Sequence, residues 1–147
     1  MDRIRKLWRL PPRDRALLLR ATVLLAAARV GLWVLPLRVV RQLLARAGRS
    51  SQPLRRGRTA PRHRIVWALL VASRFVPRAT CLPRALATEA LFLQSGYRAE
   101  LRIGVSKTAA GRLVAHAWVE SDGQIVMGNL LDLSRYAPLP PLPSVRA

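Results

Sequence analysis

Apolar and polar positions along this chain change their period once, dividing it into a helical front and a stranded back. After Asp14 the run RALLLRATVLLAAARVGLW is rich in good helix formers and holds neither Gly nor Pro before Gly31, which predicts a helix. Pro36 then fits the first turn of a second helix reaching about Ala47, with Gly48 as its stop. On it Arg38, Arg41, Gln42, Ala45 and Arg49 recur at helical spacing, while Leu37, Val40, Leu43 and Leu44 take the other side. The pattern is amphipathic.

Residues 50–64 are basic, interrupted by Pro and Gly and nearly free of apolar side chains, so they read as an exposed linker. His63, between Arg62 and Arg64, reads there as a solvated histidine. A further helix over 65–75 ends before Pro77. Another follows Cys81, with Pro83 in its first turn, Leu86, Ala90 and Leu93 on one face, and Gly96 as its left-handed stop.

Beyond Gly96 the period falls to two. Tyr97, Ala99, Leu101, Ile103 and Val105 alternate with Arg98, Glu100, Arg102 and Gly104, the signature of a half-buried strand. A polar turn at 106–111 leads to a second strand over 113–120 and a third over 124–127. Asp122-Gly123 between them is a strong hairpin signal. The end, APLPPLPSVRA after Tyr136, reads as extended polyproline or disorder. These signals give an α+β fold in four parts: an N-terminal helical region 1–49, a basic linker 50–64, a core 65–135 and a Pro-rich tail 136–147.

With 147 residues, 51% of them apolar, the chain can build one real core. Its lone cysteine, Cys81, excludes an internal disulfide, and no charged, apolar and small-residue segments follow one another as in a secretion signal. The expected compartment is the cytoplasm. The apolar stretch over 21–37 contains Arg29 and is flanked by Arg20 and Arg38, each costing about 2.5–3.5 kcal/mol at a bilayer centre. A core or interfacial helix is expected there, not a span, and membrane association is left only to the N-terminal helices.

The formal charge of +19 creates a field that would gather nucleic acid, anionic lipid or an acidic peptide, and by itself selects none of them. Lysine occurs only at Lys6 and Lys107. A GC-rich genome accounts for arginine replacing lysine, but less easily for the scarcity of acids.

A cysteine just before a helix meets unpaired backbone N–H groups and the positive end of the helix dipole, which favour the thiolate. Cys81 is so placed, although a small buried hydrophobe is the ordinary reading of a single cysteine. A Cys–His enzyme also needs an imidazole and a third group that fixes its tautomer. His116 lies on the second strand, sharing a face with Val114 and Trp118; alone it would read as a packing residue.

Taken together, CLPRALATEALFLQSGYRAELRIGV and HAWVESDG closely resemble the protease half of the lasso-peptide biosynthesis B proteins, members of the transglutaminase-like superfamily. The resemblance implies a papain-like α+β core, with the helix of the catalytic cysteine packed on a small antiparallel sheet. It implies Cys81 as nucleophile and His116 as base in a cysteine peptidase that removes the leader of a ribosomally made precursor through a thioester. The implied partners are the precursor's leader, a small leader-recognition protein and, as a further candidate, the lasso cyclase. It implies no organic cofactor and no metal.

The sequence departs from the family at one point. Where the family usually has Gly-Asp on the third strand, this chain has Gly128-Asn129, and the nearest acid is Asp132. A two-residue Asp122-Gly123 turn pairs Ser121 with Gln124 and carries Asn129 opposite His116, at about 4.5–5.5 Å between Cβ atoms. Asn129 is therefore favoured over Asp132 as the group that orients His116; a turn of another length would move the choice. Arg84 reads as a solvated first-turn arginine or an attractor of acidic substrate, Trp118 as core or cleft wall, and the Cys81 N–H as an oxyanion donor.

Three other readings compete, one of them a peripheral membrane scaffold that uses the N-terminal amphipathic segments. Acyl transfer to an amine uses the same site. A basic nucleic-acid binder fits the charge but lacks a reader motif or an aromatic platform, so no specific nucleic acid is expected.

Overall fold

Among the residues that the computed structural model describes, 2–49 and 60–145, five α-helices precede a four-stranded antiparallel sheet. The helices are α1 (Asp2–Trp8), α2 (Pro12–Val34), α3 (Leu37–Arg49), α4 (Arg62–Ala72) and α5 (Cys81–Gln94). The strands are β1 (Glu100–Lys107), β2 (Leu113–Ser121), β3 (Gln124–Met127) and β4 (Ala137–Pro138), in the order β3-β2-β1-β4. The fold is α+β, as the change of period implies.

α5 packs on the sheet, and α2, α3 and α4 gather around α5. α2 lies against α4 and α5, α3 against α5, and α5 against β2. Leu25, Ile65, Leu69, Leu86, Leu91, Phe92, Leu101 and Val119 fill the space between and are essentially inaccessible. Each such side chain contributes about 1.5–3 kcal/mol relative to an exposed one, so α2 belongs to the same core as the Cys81 helix.

Several boundaries differ from the sequence expectation, each for a visible reason. α4 begins at Arg62, inside the segment read as linker. Arg64 pairs with Asp14 and lies over the Trp67 ring at 4.3 Å, and Arg62 lies over Tyr97 at 4.8 Å. These contacts give helical positions to arginines that look merely solvated in sequence. The rest of the linker, 50–59, is outside the described residues. α3 continues through Gly48 to Arg49, so Gly48 does not stop it.

On α3 the expected faces are partly exchanged. Arg41 is buried, whereas Leu43 is half exposed. The guanidinium of Arg41 reaches Glu89 on α5 through two hydrogen bonds, 2.7 Å from Nε and 2.5 Å from Nη2, and donates a third, of 2.6 Å, to the carbonyl of Pro143. Glu89 in turn accepts the backbone N–H of Leu101 at 3.0 Å. One buried ion pair thus ties α3, α5, β1 and the C-terminal segment together. That segment is not only extended coil: Ala137 and Pro138 pair with Val105 and Gly104 of β1 as the fourth strand.

Candidate active site

Cys81 is the first residue of α5, and the backbone before it is built to deliver it there. Arg78 has a left-handed φ of 56°, an unfavoured conformation for a residue with a Cβ, and the Thr80 N–H donates back to the Arg78 carbonyl at 2.9 Å. Buried Val76 and Ala79 anchor this turn in the core. Thr80 occupies the N-cap without a side-chain capping bond, and Pro83 has no N–H to satisfy. The amides of the first turn are therefore not capped by a side chain, as suits donors to a developing oxyanion. The thiol itself is half-buried and packs against the core.

Arg84, three residues on, is not simply solvated. Its Nε is shielded from water and has no hydrogen-bond partner among the described residues. A guanidinium nitrogen left in this state is costly, so Arg84 is held by its packing and not by solvent.

His116 stands in the middle of β2, opposite Gly104 of β1. Its Nε2 lies 2.7 Å from the carbonyl oxygen of Gly128. A carbonyl only accepts, so Nε2 carries the proton and Nδ1 is the ring's free basic atom when the imidazole is neutral. The ring is further confined by Trp118, nearly parallel at 6.3 Å between centroids, and by Tyr136, tilted at 5.5 Å.

Trp118 is buried and donates its indole N–H to Glu120 at 2.9 Å; Glu120 also approaches Arg102 at 3.6 Å. It has room because its partner strand bears Gly104: a Cβ there would come within 2.9 Å of the indole and 3.0 Å of Tyr136 Cβ.

The expected register of the third strand holds only at the turn. Asp122 and Gly123 have φ of 50° and 77°, the two positive values of a type I′ hairpin, and Ser121 pairs with Gln124 and Glu120 with Ile125. The pairing then slips: Val119 faces Met127, leaving Val126 as the extra residue of a bulge. Asn129 is consequently not the partner of His116. Its side chain is exposed, as is that of Asp132, which lies 3.9 Å from Arg135. Among the described residues neither side chain hydrogen-bonds the ring. The oxygen that does so belongs to Gly128, whose φ of 84° turns its carbonyl toward β2.

The site residues thus sit on contacting elements without forming a closed dyad. No hydrogen bond joins the Cys81 thiol to His116 among the described residues. The pleat sends Ala117 and Val119 toward the helices and His116 and Trp118 to the other face. Beyond Gly128, however, β3 leaves the 113–116 part of β2 without a partner on that side. Gly128, Tyr136 and Gly104 escaped sequence reasoning; a glycine closing a short strand and an aromatic just before a Pro-rich end were their only signals. Among the described residues no group of three or more His, Cys, Asp or Glu is gathered as a metal site.

Residues 22–140 match the transglutaminase-like superfamily. The chain belongs to this superfamily. The match starts within α2 and runs through β4, so it takes in the C-terminal part of α2, α3, α4, the Cys81 helix and the whole sheet, and leaves out α1. The transglutaminase-like superfamily includes cysteine peptidases and acyl transferases, chemistries that share a thioester. No curated protein and no solved structure matches the chain.

Proposed function

We propose that this transglutaminase-like protein is a cysteine peptidase of the cytoplasm that removes the leader from a lasso precursor peptide, with Cys81 as nucleophile and His116 as base. The observation that carries the reading is the hydrogen bond from His116 Nε2 to the Gly128 carbonyl, because it leaves Nδ1 to take a thiol proton. In the first step Cys81 Sγ bonds to the scissile carbonyl carbon and its proton passes to His116. The C–N bond then breaks, the departing amine receives that proton, and a thioester remains. Water adds to the thioester, again giving its proton to His116, and the leader leaves as a carboxylate while the thiol is restored.

His116 and the helix that bears Cys81 lie on opposite faces of the sheet, so this reading requires the 113–116 end of β2, which has no β3 partner, to turn the ring toward the thiol when substrate binds. The lasso assignment rests on the resemblance of the Cys81 block and the HAWVESDG block to the B proteins. It brings with it a leader-recognition protein as partner and a cyclase that would use the freed amine.

The test is a precursor cleavage assay read by mass spectrometry, with and without a leader-binding protein. Leader release by the wild type and none by Cys81→Ala or His116→Ala, with unchanged circular dichroism, is the expected result. Release by Cys81→Ala at the wild-type rate would end the proposal. Transfer of the acyl group to added amine in preference to water would move the chain to the acyl transferases.

A further inference from the structure

We infer that the outward face of α2 seats the protein on an anionic membrane surface, lying in its plane. This inference is independent of the catalytic reading. The helix has two unlike sides. Leu17, Leu18, Ala21, Leu24, Leu25 and Ala28 are buried against the other helices. Opposite them Leu19, Val23, Val30 and Val34 recur at helical spacing and are 57–75% exposed, with Trp33 beside them at 79%. From Leu19 to Val34 the strip extends about 22 Å along the helix, a row of side chains on one face and not a scatter of single ones.

The strip continues past the start of the helix. Trp8 of α1 is 73% exposed, and Leu7, Trp8, Leu18, Leu19 and Phe75 line a groove of about 340 Å³ at that end. Tryptophans thus stand near both ends, where an amphipathic ring suits a lipid headgroup layer. Arg29 lies 5.7 Å over the Trp33 ring, pairing a cation with one of these anchors.

Charge selects the occupant. Residues 1–49 hold twelve Lys or Arg against two acids, Asp2 and Asp14, and Asp14 is already paired with Arg64. Arg5, Lys6, Arg9, Arg13 and Arg15 are exposed around the N-terminal end of the strip, and Arg38 follows its C-terminal end. An apolar face edged by cations matches a surface of acyl chains under anionic headgroups. By length and composition α2 could also cross a bilayer, but its other face is part of the protein core, which requires it to lie flat.

The test is flotation of the full chain with vesicles of phosphatidylcholine alone and of phosphatidylcholine mixed with phosphatidylglycerol. The wild type is expected to float with the anionic vesicles and about tenfold less with the neutral ones. Val23→Glu/Val30→Glu should lower anionic binding about tenfold, while Ala109→Glu/Ala110→Glu, an equal charge change in an exposed turn of the sheet, should keep it. If the first variant misfolds by circular dichroism, quenching of wild-type tryptophan emission by brominated phosphatidylglycerol decides without any substitution. Absence of flotation and quenching in the wild type would overturn the inference. So would equal binding by the two double variants, or a lipid-free wild-type dimer that Val23→Glu/Val30→Glu turns into monomers and that does not float.

Discussion

The Nε2 atom of His116 and the carbonyl oxygen of Gly128 are 2.7 Å apart, so the ring is oriented by backbone and not by a side chain. A carbonyl dipole fixes the tautomer as a carboxylate would, but meets an imidazolium with less charge. No side-chain deletion removes it. What can be changed is the conformation that presents it.

Gly128→Ala is expected to do so. With φ at 84° and a Cβ only 2.7 Å from the Ala117 carbonyl oxygen, the substituted chain must shift, at a cost of about 1–3 kcal/mol. Moving the carbonyl frees the ring, and misplacement by about 1 Å lowers catalysis on the order of 100-fold. Asn129→Ala and Asp132→Ala, both exposed, should stay within about twofold of wild type. Leader-release kinetics and thermal unfolding measured together separate the outcomes. Inactive Asn129→Ala beside active Gly128→Ala would return the orienting role to the asparagine.

The buried pair Arg41–Glu89 sets up a second expectation. Glu89→Ala leaves a guanidinium uncompensated and the Leu101 N–H without its acceptor, so urea unfolding should show a loss of about 3–5 kcal/mol. Arg41→Met combined with Glu89→Leu removes both charges and should lose distinctly less. A double variant no more stable than Glu89→Ala would mean that the pair itself, not the avoided isolated charge, stabilises the fold.

Dependence on a partner is an expectation of the proposed leader-peptidase reading. The isolated protein should cut its precursor slowly, and a leader-binding protein should accelerate it by raising the local substrate concentration. Rates measured with full-length and leader-truncated precursor are decisive. Full activity of the lone chain on the truncated peptide would remove the partner from the proposal.

What was legible in the sequence was whatever local chemistry determines. Helix-forming composition marked α2, Pro83 and Gly96 bracketed the Cys81 helix, alternation marked β1, and Asp122-Gly123 marked the turn between β2 and β3. The transglutaminase-like superfamily showed in the two blocks around Cys81 and His116. Relationships settled at a distance were not legible. A single bulge at Val126 undid the register that had put Asn129 opposite His116, and no residue type announces it. Arg41 looked like a surface residue because its partner, Glu89, lies 48 positions away. Tyr136 read as the start of a loose tail because β4 owes its place to β1 and not to its own composition.

Gly104 offers the last expectation, because it governs the His116 ring from the neighbouring strand. A Cβ at this position meets the Trp118 ring at 2.9 and 3.0 Å and Tyr136 Cβ at 3.0 Å, the two residues whose rings flank the imidazole. Gly104→Ala must displace one or both, and overpacking of this kind costs about 1–3 kcal/mol. If the stacked rings position the base, kcat should fall while KM changes little, since the thiol and the ends of the strands are untouched. Trp118→Leu added to Gly104→Ala removes the colliding ring. It should recover part of the stability and, with one flanking aromatic lost, less of the rate. Additive losses in the two measurements would show that the contact does not couple these residues. A Gly104→Ala protein with wild-type kinetics and lowered stability would confine Trp118 and Tyr136 to packing, leaving the Gly128 carbonyl as the sole support of the ring.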